Sequence, residues 1–561
     1  MIVNIAHHLP EMAALQPQKR AVVYPQSRDL AGRVAYTHLT FAQLDARANE
    51  IAWKLQGLGI GRGVRTLLLI RPNLDFIPVV FALFKIGATP ILIDPGMGWC
   101  NLVHAAAEAK PEAFIGVPAA QILRRLTWRH FRSVKIAITL GSRWGWGGLA
   151  LDRAESADAA IPAVKAPPPP FPLAATQADE TAAILFTTGS TGPAKGVIYT
   201  HGIFDAQVRI IRDFYGITPD DIDLPCFPLF ALFSVAMGVT AVIPAMDFTR
   251  PAQADPELIA EAIKNHGVTY SFGSPALWRP VSAWCAKHEV TLPSLRKVLM
   301  AGAPVPASVH ECLLRQVLGA GAETHTPYGA TEALPVCSFT GTEVLADTAA
   351  GTRSGAGICV GRPVPGVTLR IIRITDDAIS EWDESRCLKP GEVGEIVVKG
   401  PIVTPAYFGL PEATARAKIK EGDDIWHRMG DAGYLDDRGR VWFCGRKSHR
   451  VSTAAGVLFT IPCEAVFNQH PDVSRSALVG ISTGSGVQEP VIVIEPAKGK
   501  FPRTRGARNR FSKELLALGA GNPKTAGIRR VLFREVFPVD IRHNAKIRRE
   551  DLATWAAGFK F

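Results

Sequence analysis

The strongest chemical signal in this chain is a ten-residue run, Thr187-Thr188-Gly189-Ser190-Thr191-Gly192-Pro193-Ala194-Lys195-Gly196. Glycines let a backbone come close to a phosphate chain, so that successive N–H groups can surround its oxygens. The hydroxyls of Thr187, Thr188, Ser190 and Thr191 add donors, and Lys195 adds a positive charge. A Walker loop needs Gly directly before the Lys and Ser or Thr directly after it. Here Ala194 and Gly196 hold those places, so the loop is of another kind. A plain surface loop would not be entered from an apolar run such as Ala182 to Thr187, which reads as a buried strand.

Three further motifs carry compatible chemistry. In Tyr328-Gly329-Ala330-Thr331-Glu332 the ring can stack on a base, Thr331 can donate to a phosphate, and Glu332 offers the hard oxygen that Mg²⁺ prefers. In Arg428-Met429-Gly430-Asp431-Ala432-Gly433-Tyr434-Leu435, followed by Gly445-Arg446-Lys447, Asp431 can accept both hydroxyls of a ribose and Arg446 can add a polar contact. The bland reading of this pair is a salt-bridged hairpin. The last motif is His543-Asn544-Ala545-Lys546-Ile547, whose lysine, taken alone, reads equally well as solvated surface.

These residues need a frame to hold them. Val64 to Ile70 reads as a buried strand, Asp75 to Lys85 as a helix and Thr89 to Asp94 as a second strand, a unit that favours a parallel sheet with covered faces. Pro167 to Pro170 mark an extended connector within residues 163–173. More strands are expected at Thr269 to Phe272, Lys297 to Met300 and Glu395 to Val398. Asp436-Asp437-Arg438-Gly439 reads as a hairpin turn, and beyond Val451 a smaller unit of about 110 residues begins. At 561 residues the chain exceeds one hydrophobic core.

Composition excludes several classes. With 47% apolar and 20% charged residues the chain is globular rather than disordered. No two of the nine cysteines stand close enough for a CxxC site, and no secretory leader opens the sequence, so a reducing cytoplasm is expected. Leu224 to Met246 is uncharged for 23 positions, long enough to cross a bilayer. Pro225, Pro228, Gly238 and Pro244 interrupt it, which favours a buried core helix or pocket wall and no transmembrane segment. The net charge of +11 clusters partly at Lys498, Lys500, Arg503, Arg505, Arg508, Arg510 and Lys513, without aromatic interleaving of the kind that single-strand binders use, so nucleic acid is not an expected partner.

The four motifs, in this order and spacing, resemble the adenylate-forming superfamily of acyl-CoA synthetases, luciferases and peptide-synthetase adenylation domains. The resemblance implies an α/β fold. A large N-terminal domain of sheets flanked by helices, residues 1–447, would bind ATP and an acid, and a small mobile α+β C-terminal domain, residues 448–561, would close over them. It also implies that the 187–196 loop handles the β- and γ-phosphates, and that Gly302, Ala303 and Pro304 line the adenine with Tyr328 and Gly329. Thr331 would contact phosphate, Glu332 would hold Mg²⁺, and Asp431 and Arg446 would hold the ribose. Lys546 would stabilise charge developing on the phosphate and carboxylate oxygens as the acid attacks the α-phosphorus.

A narrower resemblance, to the β-lactone synthetases of bacterial long-chain olefin biosynthesis, rests on Asp223 to Phe233, Thr249 to Pro256 and Pro538 to Lys546. It implies a long-chain 2-alkyl-3-hydroxy acid as substrate, whose hydroxyl attacks the acyl-AMP, and an association with other olefin-pathway enzymes. Phe227, Phe230 and Phe233 can wall an apolar slot for the alkyl chain, although ordinary core serves equally as a reading. The chain departs from CoA-using members at Ser448, Ser452, Gly456 and Asn544-Ala545-Lys546, and its loop reads Pro193-Ala194-Lys195 instead of placing Pro before the Lys. These departures fit an enzyme whose second nucleophile is already in its substrate. An acyl-CoA or acyl-carrier ligase is the alternative, and a non-catalytic nucleotide-binding scaffold a distant one. His201, His427 and His543 are candidates by residue type for the base that takes the hydroxyl proton.

Overall fold

The computed structural model describes residues 3–141, 149–151, 169–187, 194–484, 486–539 and 547–559. Among the described residues three large sheets stand ahead of Lys447 and two small ones follow it. The first sheet is seven-stranded. It runs in space through Leu149–Leu151, Ile136–Leu140, Ala113–Gly116, Arg65–Leu69, Thr89–Ile93, Thr181–Thr187 and Lys195–Thr200. All its pairs are parallel except the last, where Thr181–Thr187 and Lys195–Thr200 form an antiparallel hairpin.

The expected strand–helix–strand unit is present as Arg65–Leu69, Phe76–Lys85 and Thr89–Ile93. Its helix is apolar all round and every residue in it is buried. The one charge, Lys85, bonds Asp45 at 2.6 Å, which compensates an ammonium that burial would otherwise destabilise.

The second sheet, also seven-stranded, orders Glu323–His325, Lys297–Met300, Tyr270–Gly273, Ile222–Asp223, Thr240–Val242, Arg20–Arg28 and Val34–Thr40. The 23-residue uncharged stretch feeds this sheet. It supplies the seven-residue helix Phe230–Ala236 and the strand Thr240–Val242, interrupted by turns where its prolines and Gly238 stand. Among the described residues no helix is long and apolar enough to cross a membrane.

The third sheet is eight-stranded and antiparallel, and contains Tyr328–Ala330, Ala333–Ser338, Gly394–Lys399, Asp424–Leu435 and Val441–Arg446. The Asp436–Gly439 turn forms where expected: Asp436 Oδ1 accepts the backbone N–H of Arg438 at 3.0 Å and of Arg440 at 2.8 Å. Lys418–Glu421 pairs at the side of Asp424–Leu435. After Lys447 come a short hairpin, Val451–Thr453 with Gly456–Leu458, and a three-stranded sheet, Val473–Ser482, Gln488–Pro496 and Arg530–Phe533. Helices Thr460–Phe467, Arg505–Ala520 and Arg549–Ala557 accompany it. Of the proline connector, residues 163–168 lie outside the described residues and residues 169–173 within them, where the Trp53 Nε1–H donates to Pro169 O at 3.0 Å.

Candidate active site

One continuous cavity of about 2860 Å³ brings most of the sequence-derived residues together. Lys195, Gly302, Ala303, Pro304, Tyr328, Gly329, Thr331, Glu332, Asp431 and Arg446 all line it, and so do Phe227, Phe230 and Phe233. Thr188, Gly189, Ser190, Thr191 and Gly192 lie outside the described residues, as do the side chain of Thr187 and all of His543 and Lys546.

The clamp around Asp431 is built by a hairpin. Asp431 and Arg446 are register partners on Asp424–Leu435 and Val441–Arg446, and Arg446 Nη1 reaches Asp431 Oδ1 at 2.9 Å. Tyr328 donates its hydroxyl to Asp431 Oδ2 at 2.7 Å. Both carboxylate oxygens therefore have protein partners already. A ribose would share them, since an ionised carboxylate offers about four acceptor sites. Gly430 sets the aim of this aspartate. Its φ of 67° lies in the left-handed region, and a Cβ there would meet nothing closer than Arg446 Nη1 at 4.0 Å. The demand for glycine is thus conformational rather than spatial. Arg428, in the same motif, is structural: it bonds Glu395 at 2.7 Å and carbonyls of Asp377 and Arg416.

A second cluster surrounds Glu332. Gly196 lies opposite Phe186 in the hairpin, where a Cβ would stand 2.9 Å from that ring, so glycine permits the close pairing that carries Lys195. The segment 406–408 zips alongside, with Ile198 N–H on Ala406 O at 3.1 Å and Phe408 N–H on Gly196 O at 2.7 Å. Tyr407 thereby lies between the two charged residues. Lys195 Nζ stands 4.8 Å from its ring centroid, and its hydroxyl donates to Glu332 Oε1 at 2.8 Å. The Thr404 N–H and hydroxyl hold Glu332 O at 2.9 and 3.0 Å, and Tyr199 donates to Thr331 O.

Behind this cluster stands a buried basic pair that no sequence pattern marks as a pair. Lys418 and His427 face each other directly across the ladder. Lys418 Nζ donates to Thr404 Oγ1 at 3.3 Å, and burial pulls its ammonium down to about 7 against the opposing pull of Glu332. Burial, then the charge of Lys418, hold His427 well below the usual histidine range, so its ring is neutral. Alternating charge in Arg416-Ala417-Lys418-Ile419-Lys420-Glu421 gives no hint that one of these lysines is internal. Of the three histidines proposed as bases, His427 lines the cavity. His201 is instead a packing residue: fully buried, it accepts the Ile5 N–H at Nδ1, and burial lowers it to about 4.

The apolar arm of the cavity is aromatic. Phe230 stacks on Phe272 with ring centroids 3.6 Å apart, and Phe227 and Phe233 stand 5.7 and 5.6 Å from Phe230. Phe204 continues the row beside Phe233 at 6.2 Å. The Phe residues at 227, 230 and 233 are all half-buried and line the cavity, and Phe233 also packs against the main core.

The family model for AMP-binding enzymes matches residues 9–408. The chain belongs to the AMP-binding enzyme family. Within it the chain is 47% identical to an olefin beta-lactone synthetase of Xanthomonas campestris pv. campestris, over 99% of this chain and 98% of that one. It is also 47% identical to the olefin beta-lactone synthetase of Stenotrophomonas maltophilia, with the same coverage. A long-chain-fatty-acid–CoA ligase of Thermus thermophilus is 26% identical over 89% of this chain and 87% of its own. Among solved structures, the amide bond synthetase McbA of Marinactinospora thermotolerans superposes with a TM-score of 0.75 at 23% identity, covering 98% and 99% of the two chains. ATP-bound MatB of Rhodopseudomonas palustris superposes at 0.76 with 20% identity, covering 100% and 99%. Both show that the fold of the AMP-binding family extends through the C-terminal segment.

Proposed function

We propose that this chain joins AMP from ATP to a long-chain 2-alkyl-3-hydroxy acid and then closes the product to a β-lactone. The observation that carries this reading is the end-to-end 47% identity to two olefin beta-lactone synthetases. It is supported by a cavity in which the Asp431 clamp and the aromatic slot are continuous. In the first step a carboxylate oxygen attacks the α-phosphorus of ATP and pyrophosphate leaves. In the second, the 3-hydroxyl oxygen attacks the acyl carbon, the acyl–phosphate bond breaks and AMP leaves. The hydroxyl proton passes to a base in the site. An internal nucleophile needs no second binding event, so holding the chain bent in the slot supplies much of the rate.

The residue roles follow the geometry. Asp431, Arg446 and Tyr328 would orient the nucleoside, with Gly302 to Pro304 beside the base. Lys195 would face the phosphates, with Thr331 and the 187–192 loop. Glu332 suits a hard cation: Tyr407 occupies Oε1 alone, and the carboxylate faces the cavity. Mg²⁺ held there would neutralise phosphate charge. Residues 1–447 would form the body and 448–561 the lid. Thr460, Glu464, Arg475 and Arg549 of the second segment line the same cavity, which supports that division. Ion pairs flank Ser448: Lys447 with Glu395 at 3.2 Å and Arg450 with Asp376. Lys546 would enter from this lid. A cytoplasmic setting is supported by cysteines that are free throughout the described residues.

Incubation with ATP, Mg²⁺ and a 2-alkyl-3-hydroxy acid, without any thiol, is expected to yield AMP and a lactone detectable by mass spectrometry. AMP turnover that begins only when CoA or a carrier thiol is added overturns the reading in favour of an acyl-thiol ligase.

A further inference from the structure

Against the strands Ala113–Gly116 and Ile136–Leu140 packs the helix Pro118–Leu126, followed by the single 3-10 turn Trp128–Phe131. Their inner side is fully committed. Ala120 and Phe131 are buried in one core cluster with Leu123 packed against it, and Gln121 Nε2 donates to Ile138 O at 2.9 Å. Leu126 and Trp128 stand apart from that core, 72% and 56% exposed. Arg125, Arg129, Arg132 and Lys135 are exposed beside them. Arg129 and Arg132 hold their guanidinium carbons 5.9 and 4.9 Å from the centre of the Trp128 ring.

The charge here has one sign. Between Glu112 and Asp152 the sequence has no acidic residue, and Glu112 itself pairs with Arg65 at 3.1 Å. An apolar patch alone would suit many partners. A tryptophan and a leucine set among unopposed arginines suit the surface of an anionic bilayer, where indole rests at headgroup level and guanidinium meets phosphate. The basic run from Lys498 to Lys513 lacks the apolar half of this pattern, since Phe501 and Phe511 are half-buried and buried.

The patch also adjoins the cavity. Ala119 and Ala120, of the same helix, line it, and so does Trp99. Trp99 is 65% exposed, so the cavity opens to solvent there. The helix that it begins, Trp99–Glu108, packs against Trp128–Phe131, with the His104 and His130 rings edge to face at 5.7 Å. We propose that Leu126 and Trp128, with Arg125, Arg129 and Arg132, dock this protein on an anionic lipid bilayer beside that opening. Docking itself does not depend on the proposed reaction. Its use in catalysis rests on that reading: a long-chain acid partitions into a bilayer, and an opening held at the membrane spares it a passage through water.

The test is co-sedimentation of the full chain with vesicles of phosphatidylcholine, alone or with about one third phosphatidylglycerol. The wild type is expected to bind the anionic vesicles and not the neutral ones, and to be released by high salt. Arg129→Glu with Arg132→Glu is expected to weaken binding roughly 30-fold or more. Leu126→Ser with Trp128→Ser keeps the charge and is expected to weaken it several-fold. Arg505→Glu with Arg510→Glu makes the same change in net charge elsewhere and is expected to leave binding intact. Pyrophosphate–ATP exchange on a detergent-dispersed acid, equal to wild type, shows that the variants fold. Equal binding to both kinds of vesicle, or no loss in either patch variant, overturns the docking surface. So does an equal loss in the Arg505 and Arg510 variant, which would make the attraction one of net charge alone. Binding of duplex DNA without binding of vesicles would overturn it too. Because no substrate is present, the result stands apart from the lactone-forming reading, which thiol-independent lactone formation tests separately.

Discussion

Replacing Lys418 by Met should make the protein more stable at neutral pH, and the gain should fade as the solution becomes alkaline. Lys418 is 7% exposed and its head donates to Thr404 Oγ1. Its folded pKa, about 7, is depressed from the ordinary 10.5. Below pH 7 both folded and unfolded chains carry the proton, and the cost of burying the ammonium is present in full. Between about 7 and 10.5 the unfolded chain keeps a proton that the folded chain has released, so stability rises with pH. A tenfold change in proton affinity corresponds to about 1.4 kcal/mol, and the full depression therefore to a cost on the order of 5 kcal/mol. Methionine fills the same space without charge and leaves Thr404 its bond to Glu332 O. Urea unfolding of the wild type and Lys418→Met at pH 7 and pH 9.5 reads the effect. The stability difference between the two proteins is expected to shrink by about 3 kcal/mol across that interval, at about 1.4 kcal/mol for each step of one in pH. His427 is neutral in the folded chain and mostly neutral in the unfolded one over this range, so its contribution is small beside that of Lys418. Parallel pH profiles for the two proteins would refute the reasoning and place a normal, solvated ammonium at position 418.

Three further outcomes follow from the site. Tyr328→Phe deletes the donor to the Asp431 carboxylate, so KM for ATP in pyrophosphate exchange should rise roughly tenfold with little change in KM for the acid. An unchanged KM for ATP would separate Tyr328 from the clamp. Phe230→Ala removes the ring stacked on Phe272, and should weaken binding of a long-chain acid several-fold while sparing a short one; equal effects on both would take Phe230 out of the chain-binding wall. Lys546→Ala should sharply slow acid-dependent exchange, by roughly 100-fold or more, as loss of a charge aimed at developing oxyanions does. No loss would show that another residue fills that role.

Much of this protein could be read from local sequence, and the reasons are local too. Apolar runs such as Arg65–Leu69 and Lys297–Met300 become strands because the buried sheets leave them no polar face. Asp436-Asp437-Arg438-Gly439 closes the Asp431 hairpin through its own aspartate and a glycine with φ of 70°. The Thr187–Gly196 run, the Glu332 motif and the Asp431 motif are each a few adjacent residues that can be recognised from residue type and spacing alone. What tertiary structure alone decided lies between distant segments. Tyr407 reaches Glu332 because residues 406–408 zip onto the strand Lys195–Thr200, a pairing across some two hundred positions. Lys418 and His427 read as ordinary polar residues until burial removes their water and perturbs both. Residue type and spacing specify which groups can do chemistry, whereas desolvation and long-range contact set the charge each group carries and what it can meet.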